Sequence, residues 1–318
     1  MEHRESKGGT VIQPLDRRAA VALAAAALVA PRCGGTAAAP SRQQAELGVF
    51  VGNEPARVAE FERWLGRPVN GVLGYTAGRN WEDIATPDWA IALWAPIDRP
   101  VYWSVPLIPE GSPDLRLAAS GACNAMYREA ALRLARFRPS DPHLHIRTGW
   151  EFNTPNFQWA ARGRERAFIG AFRQFVNSFR AVSPRFLFEW NVNLDGNMEP
   201  EAAYPGDDFV DVIGMDFYWN PQWTSPDPLR AWDWMLEHRR GLRWHQDFAT
   251  SHRKPTAYSE WGVTTDAAEP YLERAKVWFD GHDVVFQTYW DSNGAYPGRL
   301  SDDRFPRSAA AYRRLFSA

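Results

Sequence analysis

The chain predicts a single (β/α)8 barrel, and three observations carry that prediction. Short β-rich runs and longer helical stretches alternate eight times within one continuous region. No stretch rich in Gly, Ser or Pro divides that region, and no short internal repeat interrupts it. The first run leads into Gly52-Asn53-Glu54-Pro55, which lacks the Gly-x-Gly-x-x-Gly loop expected of the runner-up, an open doubly wound sheet.

The expected strands are 47–52, 71–75, 100–108, 144–151, 186–192, 210–218, 255–261 and 284–290. Helical segments are expected at 55–65, 123–137, 164–182, 229–250, 269–280 and 308–316, with a short turn near 81–84 and an irregular region near 199–204. The clearest helix is 164–182. There Phe168, Phe172, Phe175 and Phe179 recur at spacings of three and four and form a core-facing stripe.

Residues 1–42 read as an export signal and leader, and 43–318 as the barrel domain. Asp16-Arg17-Arg18 precedes a run of small apolar residues from Ala19 to Ala30, and Ala37-Ala38-Ala39 offers a cleavage site. The run is too short to span a bilayer. The paired arginines resemble a twin-arginine signal, which exports folded proteins. Export to the periplasm or the outside is therefore expected, with no membrane attachment after cleavage. Cys33 would mark a lipoprotein, but Ala30-Pro31-Arg32 before it is a poor lipidation context. Cys123 is then alone in the domain and is expected to be a small buried residue.

A net charge of -2 gives no basic surface for nucleic acid. No cofactor motif is present. His143 and His145 form an H-x-H, but at the wrong end of their strand for a site, so no metal is expected. His238, His245 and His252 lie seven apart on a helix flank, again without the look of a metal site. The chain has 16 tryptophans, and several are expected to form flat platforms for sugar rings. A monomer acting on a polysaccharide or oligosaccharide is expected.

Two stretches carry the chemistry. Arg147-Thr148-Gly149-Trp150-Glu151-Phe152-Asn153 runs out of the fourth strand, and Ser259-Glu260-Trp261-Gly262 ends the seventh. In such a barrel the functional groups sit at the C-terminal strand ends. Two carboxyls there, one protonated and one ionised, are the equipment for breaking a glycosidic bond. With a period of two, Arg147, Gly149 and Glu151 should share one face, with Arg147 buried below Glu151. Gly214, Asp216 and Tyr218 should share another, as should Phe286, Thr288 and Trp290. Glu189 is expected to point inward and pair with Arg147. Asn191 and Asn193 share its face, so one of them can reach the cleft. Asp291 reads as a loop cap.

These motifs resemble clan A glycoside hydrolases, and most closely glycoside hydrolase family 26, the mannanase, lichenase and β-1,3-xylanase group. The resemblance rests on Arg-x-x-x-Glu-Phe-Asn at 147–153, Asp211-Val212-Ile213-Gly214-Met215-Asp216-Phe217-Tyr218 and Glu260-Trp261-Gly262, with Phe157-Gln158-Trp159 after the first motif. It implies that Glu151 is the general acid/base and Glu260 the nucleophile of a retaining endo-β-glycoside hydrolase. It implies that Tyr218 orients the nucleophile, that Trp290 floors the reacting subsite, and that Arg147 and Asn153 support the acid/base. Trp150, Trp159, Asp216, Trp219 and Trp261 are further candidate substrate contacts, as are Trp81 and Trp223; Asp216 reads equally as a structural residue at the barrel mouth. The family carries histidine where this chain has Trp150. A divergent relative is therefore expected, on β-mannan, β-glucan or β-xylan, or on a bacterial exopolysaccharide or other glycan. A non-catalytic glycan-binding barrel is the alternative from another class.

Overall fold

A computed structural model describes residues 44–111 and 114–317. The leader assigned to residues 1–42 lies outside them. Eight parallel strands close into a barrel in sequence order: β1 Glu46–Phe50, β2 Gly71–Tyr75, β3 Val101–Ser104, β4 Leu144–Arg147, β5 Phe186–Asn193, β6 Val212–Trp219, β7 Thr256–Val263 and β8 Val284–Trp290. β1 pairs with β8 over five residues, Glu46 opposite Phe286 through Phe50 opposite Trp290, which seals the cylinder.

The alternation of side chains builds two separate cores. Inside the barrel sit Phe50, Leu73, Tyr102, Val212, Ala257, Phe286, Trp290 and Tyr296. Tyr102 and Phe286 stack there at 3.9 Å between ring centroids. Outside, the other strand face packs on the helices, and the Phe168, Phe172, Phe175 and Phe179 stripe is fully buried there as expected. Cys123 is a buried free cysteine.

Three expectations about the elements need correction. β4 stops at Arg147, so Glu151 is not on a strand; it reaches the mouth through a turn in which Gly149 has φ +58 and Glu151 φ +50. The expected helix 229–250 is two, Pro228–Glu237 and Leu242–His252. Gly241 starts the second, and a Cβ there would lie 2.2 Å from the Met235 carbonyl oxygen, so the chain turns where a single helix would have run on. Two short helices, Asp88–Trp94 and Leu115–Ala119, were not foreseen.

β7 departs from simple alternation. Gly214 and Asp216 of β6 stand opposite Ala257 and Glu260, so β7 spends three steps where β6 spends two. The same excess appears against β8, where Tyr258 and Trp261 face Gln287 and Tyr289. This is a β-bulge at Ser259-Glu260, and it turns two consecutive side chains to the barrel interior.

The bulge also settles Trp261. It points outward, is fully buried, packs against Phe279, Tyr289, Tyr312 and Phe316, and bonds Gln287 through its indole N–H. Trp219 is outward too, stacked on Tyr271 with its N–H on the Ser225 carbonyl. Neither reaches the cleft, contrary to expectation. Replacing Trp261 by Ala should therefore cost about 3–5 kcal/mol of stability. Thermal melts should show that loss, while KM of the protein that remains folded stays at the parent value.

Candidate active site

The centre of the site is Arg147, the last residue of β4, only 2% exposed. Charge so placed costs several kcal/mol in lost hydration unless its donors are filled. Four of its five N–H donors are bonded: Nε donates to Ser104 Oγ at 3.0 Å, Nη1 to Asp216 Oδ2 at 2.7 Å, and Nη2 to Tyr75 Oη at 2.7 Å and Glu260 Oε1 at 2.5 Å. The strand register brings them together, with Ser104 opposite Arg147 and Asp216 opposite Glu260.

Glu260 is held through both of its oxygens. Oε1 accepts from Arg147 and from the Tyr75 hydroxyl, and Oε2 accepts from Tyr218 at 2.6 Å. Burial, helped by the Glu260 charge, pushes both phenols well above their ordinary range, so they remain donors. Three donors fixing both oxygens is the environment of an anion aimed in one direction.

Glu151 is treated in the opposite way. Its left-handed backbone is uncommon for a residue with a side chain and costs on the order of 1 kcal/mol. Its N–H meets the Asn191 carbonyl at 3.1 Å, which pins the turn to β5. Its Oε1 accepts one bond, from Asn193 Nδ2 at 2.7 Å. Burial and then the Glu260 charge push its carboxyl up to about 7, against the opposing pull of Asn193 and Arg147. A carboxyl that holds a proton near neutrality beside one that is clamped as an anion is the division of labour that acid and nucleophile require.

The other expected residues divide. Tyr218 and Trp290 reach the site. Trp290 lies against Phe50 at 4.0 Å and Tyr218 at 5.9 Å, and its N–H is spent on the Tyr296 carbonyl, which leaves the ring as a floor. Trp150 stands with its ring 5.4 Å from the Arg147 guanidinium carbon and edge-on to Tyr75. Asp216 is fully buried and binds Arg147 and Asn191, so it is structural. Asn153 is fully buried as well, exchanging bonds with the Asn193 backbone; it supports the Glu151 segment from within the protein. Trp159 is 2% exposed, bonded to the Trp150 carbonyl, and carries the loop instead of a sugar. Trp81 is half-buried against Tyr127. The expected Glu189–Arg147 pair does not form: Glu189 bonds Ser259 and Asn191. Asp291 is the loop cap that was expected, accepting from Leu300 and Ser301.

Tyr75 is the member of the site that sequence reasoning missed. The available signal was its place at the C-terminal end of β2, the counterpart of Tyr218 on β6. His145 is half-buried at the other end of the barrel, where lost hydration lowers it to about 4, and among the described residues no three metal-ligating side chains converge.

Cavities open on two sides of this pair. One of about 620 Å³ is lined by Phe50, Tyr75, Trp290, Glu54, Arg57 and Asn293 among others. The second, about 240 Å³, lies beyond Tyr218 and Asn193 and includes Thr154, Asp195, Trp223 and Trp234. Trp223 is 65% exposed, an unusual position for an indole.

Comparison with known proteins agrees with the motifs. The family model of Glycosyl hydrolase family 26 matches residues 124–230. No curated protein sequence matches. Among solved structures, a family 26 β-mannanase from Bacteroides ovatus is similar at 14% identity, covering 85% of this chain and 90% of that one, with a TM-score of 0.57. The catalytic domain of a family 26 endo-β-1,4-mannanase from Bacillus sp. JAMB-750 gives 15% identity, 86% of each chain and 0.60. A β-mannanase from a symbiotic protist of the termite Reticulitermes speratus, complexed with gluco-manno-oligosaccharide, gives 18% identity, 87% and 88% coverage and 0.55. The resemblance expected from the three motifs is thus found in sequence over the middle of the chain and in fold over the barrel.

The raised carboxyl of Glu151 has a consequence for stability. Below about 4.5 it is protonated in both the folded and unfolded chain and contributes no difference. Between about 4.5 and 7 the folded chain keeps a proton that the unfolded chain has lost, so stability falls as pH rises. Above that range the penalty is complete. Glu151→Gln should therefore be more stable than the parent at pH 8 by on the order of 1–3 kcal/mol. Paired denaturant titrations should show that gain shrinking towards zero at pH 4.

Proposed function

We propose that this chain, a glycoside hydrolase divergent from the solved family 26 enzymes, is a retaining endo-acting β-glycosidase of polysaccharides. The observation that carries the proposal is the contrast between its two carboxyls: Glu260 clamped by Arg147, Tyr75 and Tyr218, and Glu151 held to about 7.

In the first step a Glu260 oxygen attacks the anomeric carbon. The glycosidic C–O bond breaks, and the Glu151 proton passes to the leaving oxygen. The glycosyl ester on Glu260 stays in the site while the leaving sugar departs. In the second step Glu151, now a carboxylate, takes a proton from water as that water attacks the same carbon and releases Glu260. Tyr75, Tyr218 and Arg147 hold the nucleophile's orientation throughout. Asn193 holds Glu151 and stabilises its anion between the two steps. Trp290 and Phe50 present apolar faces to the sugar that becomes covalently bound.

Cavities on both sides of the pair support an endo mode, since chain can extend either way from the scissile bond. The larger one, beside Trp290, takes the glycone side. The smaller one, beside Asn193 and Trp223, takes the leaving side. β-1,4-Mannan is the first substrate to test, because several of the similar solved barrels are described as mannanases. Trp150 favours a second reading on another glycan, because it puts an indole where the mannanase family has a polar imidazole. Among the described residues no helix is long and apolar enough to cross a membrane. Export by the twin-arginine route, with 1–42 as leader, and a monomeric state complete the proposal.

Glu260→Ala should lower hydrolysis by roughly 10³-fold or more on whichever polysaccharide of a mannan, mixed-linkage glucan, β-1,3-xylan and exopolysaccharide panel the parent cleaves. Unchanged turnover would refute the assignment. A 2-deoxy-2-fluoro glycosyl fluoride should label Glu260, as seen by peptide mass spectrometry. Trp223→Ala should raise KM on the polysaccharide by roughly five- to tenfold, through loss of one stacked ring. Its effect on an aryl glycoside should be far smaller, because that leaving group places no sugar on the indole.

A further inference from the structure

The barrel interior holds a carboxyl that the reaction above does not use. Glu189, on β5, is 4% exposed and lies opposite Arg147 in the strand register. Yet Arg147 gives its ion pairs to Asp216 and Glu260, and among the described residues Glu189 makes none. Its partners are neutral: Asn191 Nδ2 at 3.0 Å from Oε1, and Ser259 Oγ at 2.8 Å from Oε1 and 2.7 Å from Oε2.

That geometry counts protons. A serine hydroxyl has a single hydrogen to donate. When its oxygen sits at bonding distance from both oxygens of one carboxyl, both contacts are satisfied if the hydroxyl donates to one and the other donates to it. In that arrangement the second donor is a protonated carboxyl, whereas a carboxylate would have to share the one hydrogen between both of its oxygens. The charge around it points the same way. Glu189 faces Arg147 from β4, Asp216 from β6 and Glu260 from β7, with Glu151 beyond them at the mouth. The one guanidinium there is already bonded to two other carboxyls, Asp216 and Glu260. A third anion without a cation at bonding distance would carry a desolvation cost that Arg147 at longer range and two neutral hydrogen-bond partners offset only in part. Gly214 of β6 makes the space: a Cβ there would lie 1.9 Å from Glu189 Oε1.

We infer that Glu189 is held as a neutral acid and is a positioning residue, fixing through Ser259 the β7 bulge that turns Glu260 towards the cleft. Ser259 and Glu260 are consecutive and both face inward, which alternation forbids without the bulge. Anchoring the first at the barrel centre determines where the second can point. Burial raises the Glu189 carboxyl from its ordinary range, against the opposing pull of Arg147, Ser259 and Asn191. The inference rests on the proposed role of Glu260 as nucleophile.

The test compares Glu189→Gln, Glu189→Ala and Ser259→Ala with the parent. Gln presents one acceptor and one donor where a protonated acid does. Glu189→Gln should keep kcat within about threefold and leave both limbs of the pH–rate profile in place. Glu189→Ala and Ser259→Ala should lower kcat by at least about tenfold with KM changed less than about twofold, because only the aim of the nucleophile is lost. Should Glu189→Ala not fold, Ser259→Ala carries the same comparison. A Glu189→Gln profile whose alkaline limb moves to lower pH would overturn the neutral state, since it would mean that an anion near Glu151 had been removed. A folded Ser259→Ala with parental kcat would overturn the positioning role. Infrared difference spectra at pH 8 separate this from the parent reading. A protonated-carboxyl C=O band present in the parent and missing from Glu189→Gln supports the neutral acid even if no glycosidase activity is found and Glu260 is never labelled; its absence from the parent refutes it.

Discussion

The structure turns on one buried cation. Arg147 occupies the barrel axis with its guanidinium bonded to Ser104, Asp216, Tyr75 and Glu260. Its placement decides what every nearby carboxyl is able to be. Asp216 and Glu260 touch it and have an opposite charge at bonding distance. Glu151 and Glu189 lie out of its direct reach, and burial pushes both up. A single side chain thus divides four carboxyls by contact, two bonded to it and two not, although burial pushes Asp216 up as well, against the pull of Arg147. The barrel is well suited to this, because its inward-facing layers bring β3, β4, β6 and β7 to one small volume without help from neighbours in sequence.

Much of this was legible in the chain, and the part that was legible shares a cause. A strand alternates with period two, so the inward sets Gly214, Asp216, Tyr218 and Phe286, Thr288, Trp290 follow once the strand count is known. Arg147 followed likewise. Glu151 and Glu260 were found as residues, but neither reaches its place by alternation. One arrives through a turn with two positive φ values and the other through a bulge. Both devices are set by tertiary fit: nothing in Tyr258-Ser259-Glu260-Trp261 marks an extra residue, because the mark is Glu189, 70 residues earlier. Tyr75 was missed for a related reason. A lone tyrosine closing Gly71-Val72-Leu73-Gly74 looks like strand composition until Glu260 is known to lie across from it.

Tryptophan misled most. An indole serves a hydrophobic core and a sugar platform equally well, so abundance says little about which role any one plays. Trp159, Trp219 and Trp261 are core, each with its N–H satisfied inside the protein. For Trp219 the alternation held the answer, since its neighbour Tyr218 faces inward. For Trp261 it did not, because the bulge resets the phase. Trp223, in a loop with no period to read, is the exposed one.

Trp150 is the residue at which this chain departs from the motif pattern it otherwise resembles. Its ring lies 5.4 Å from the Arg147 guanidinium carbon, a distance at which the aromatic face attracts a cation. An imidazole there would compete for the carboxylates as a donor and bring water with it. The indole covers the guanidinium while leaving all of its bonds in place, and a drier site strengthens the field between Arg147 and Glu260. It also favours the proton that burial keeps on Glu151. The departure from the family pattern is therefore compatible with the acid–nucleophile division. What it alters is the sugar side. Trp150 brings one N–H and no acceptor, and among the described residues that N–H bonds no protein group. A hydroxyl lying against it must accept, and a sugar whose hydroxyl there needs to donate meets an apolar face. Under the proposed function, the exchange of imidazole for indole therefore bears on which sugar is accepted and leaves the contact with Arg147 in place.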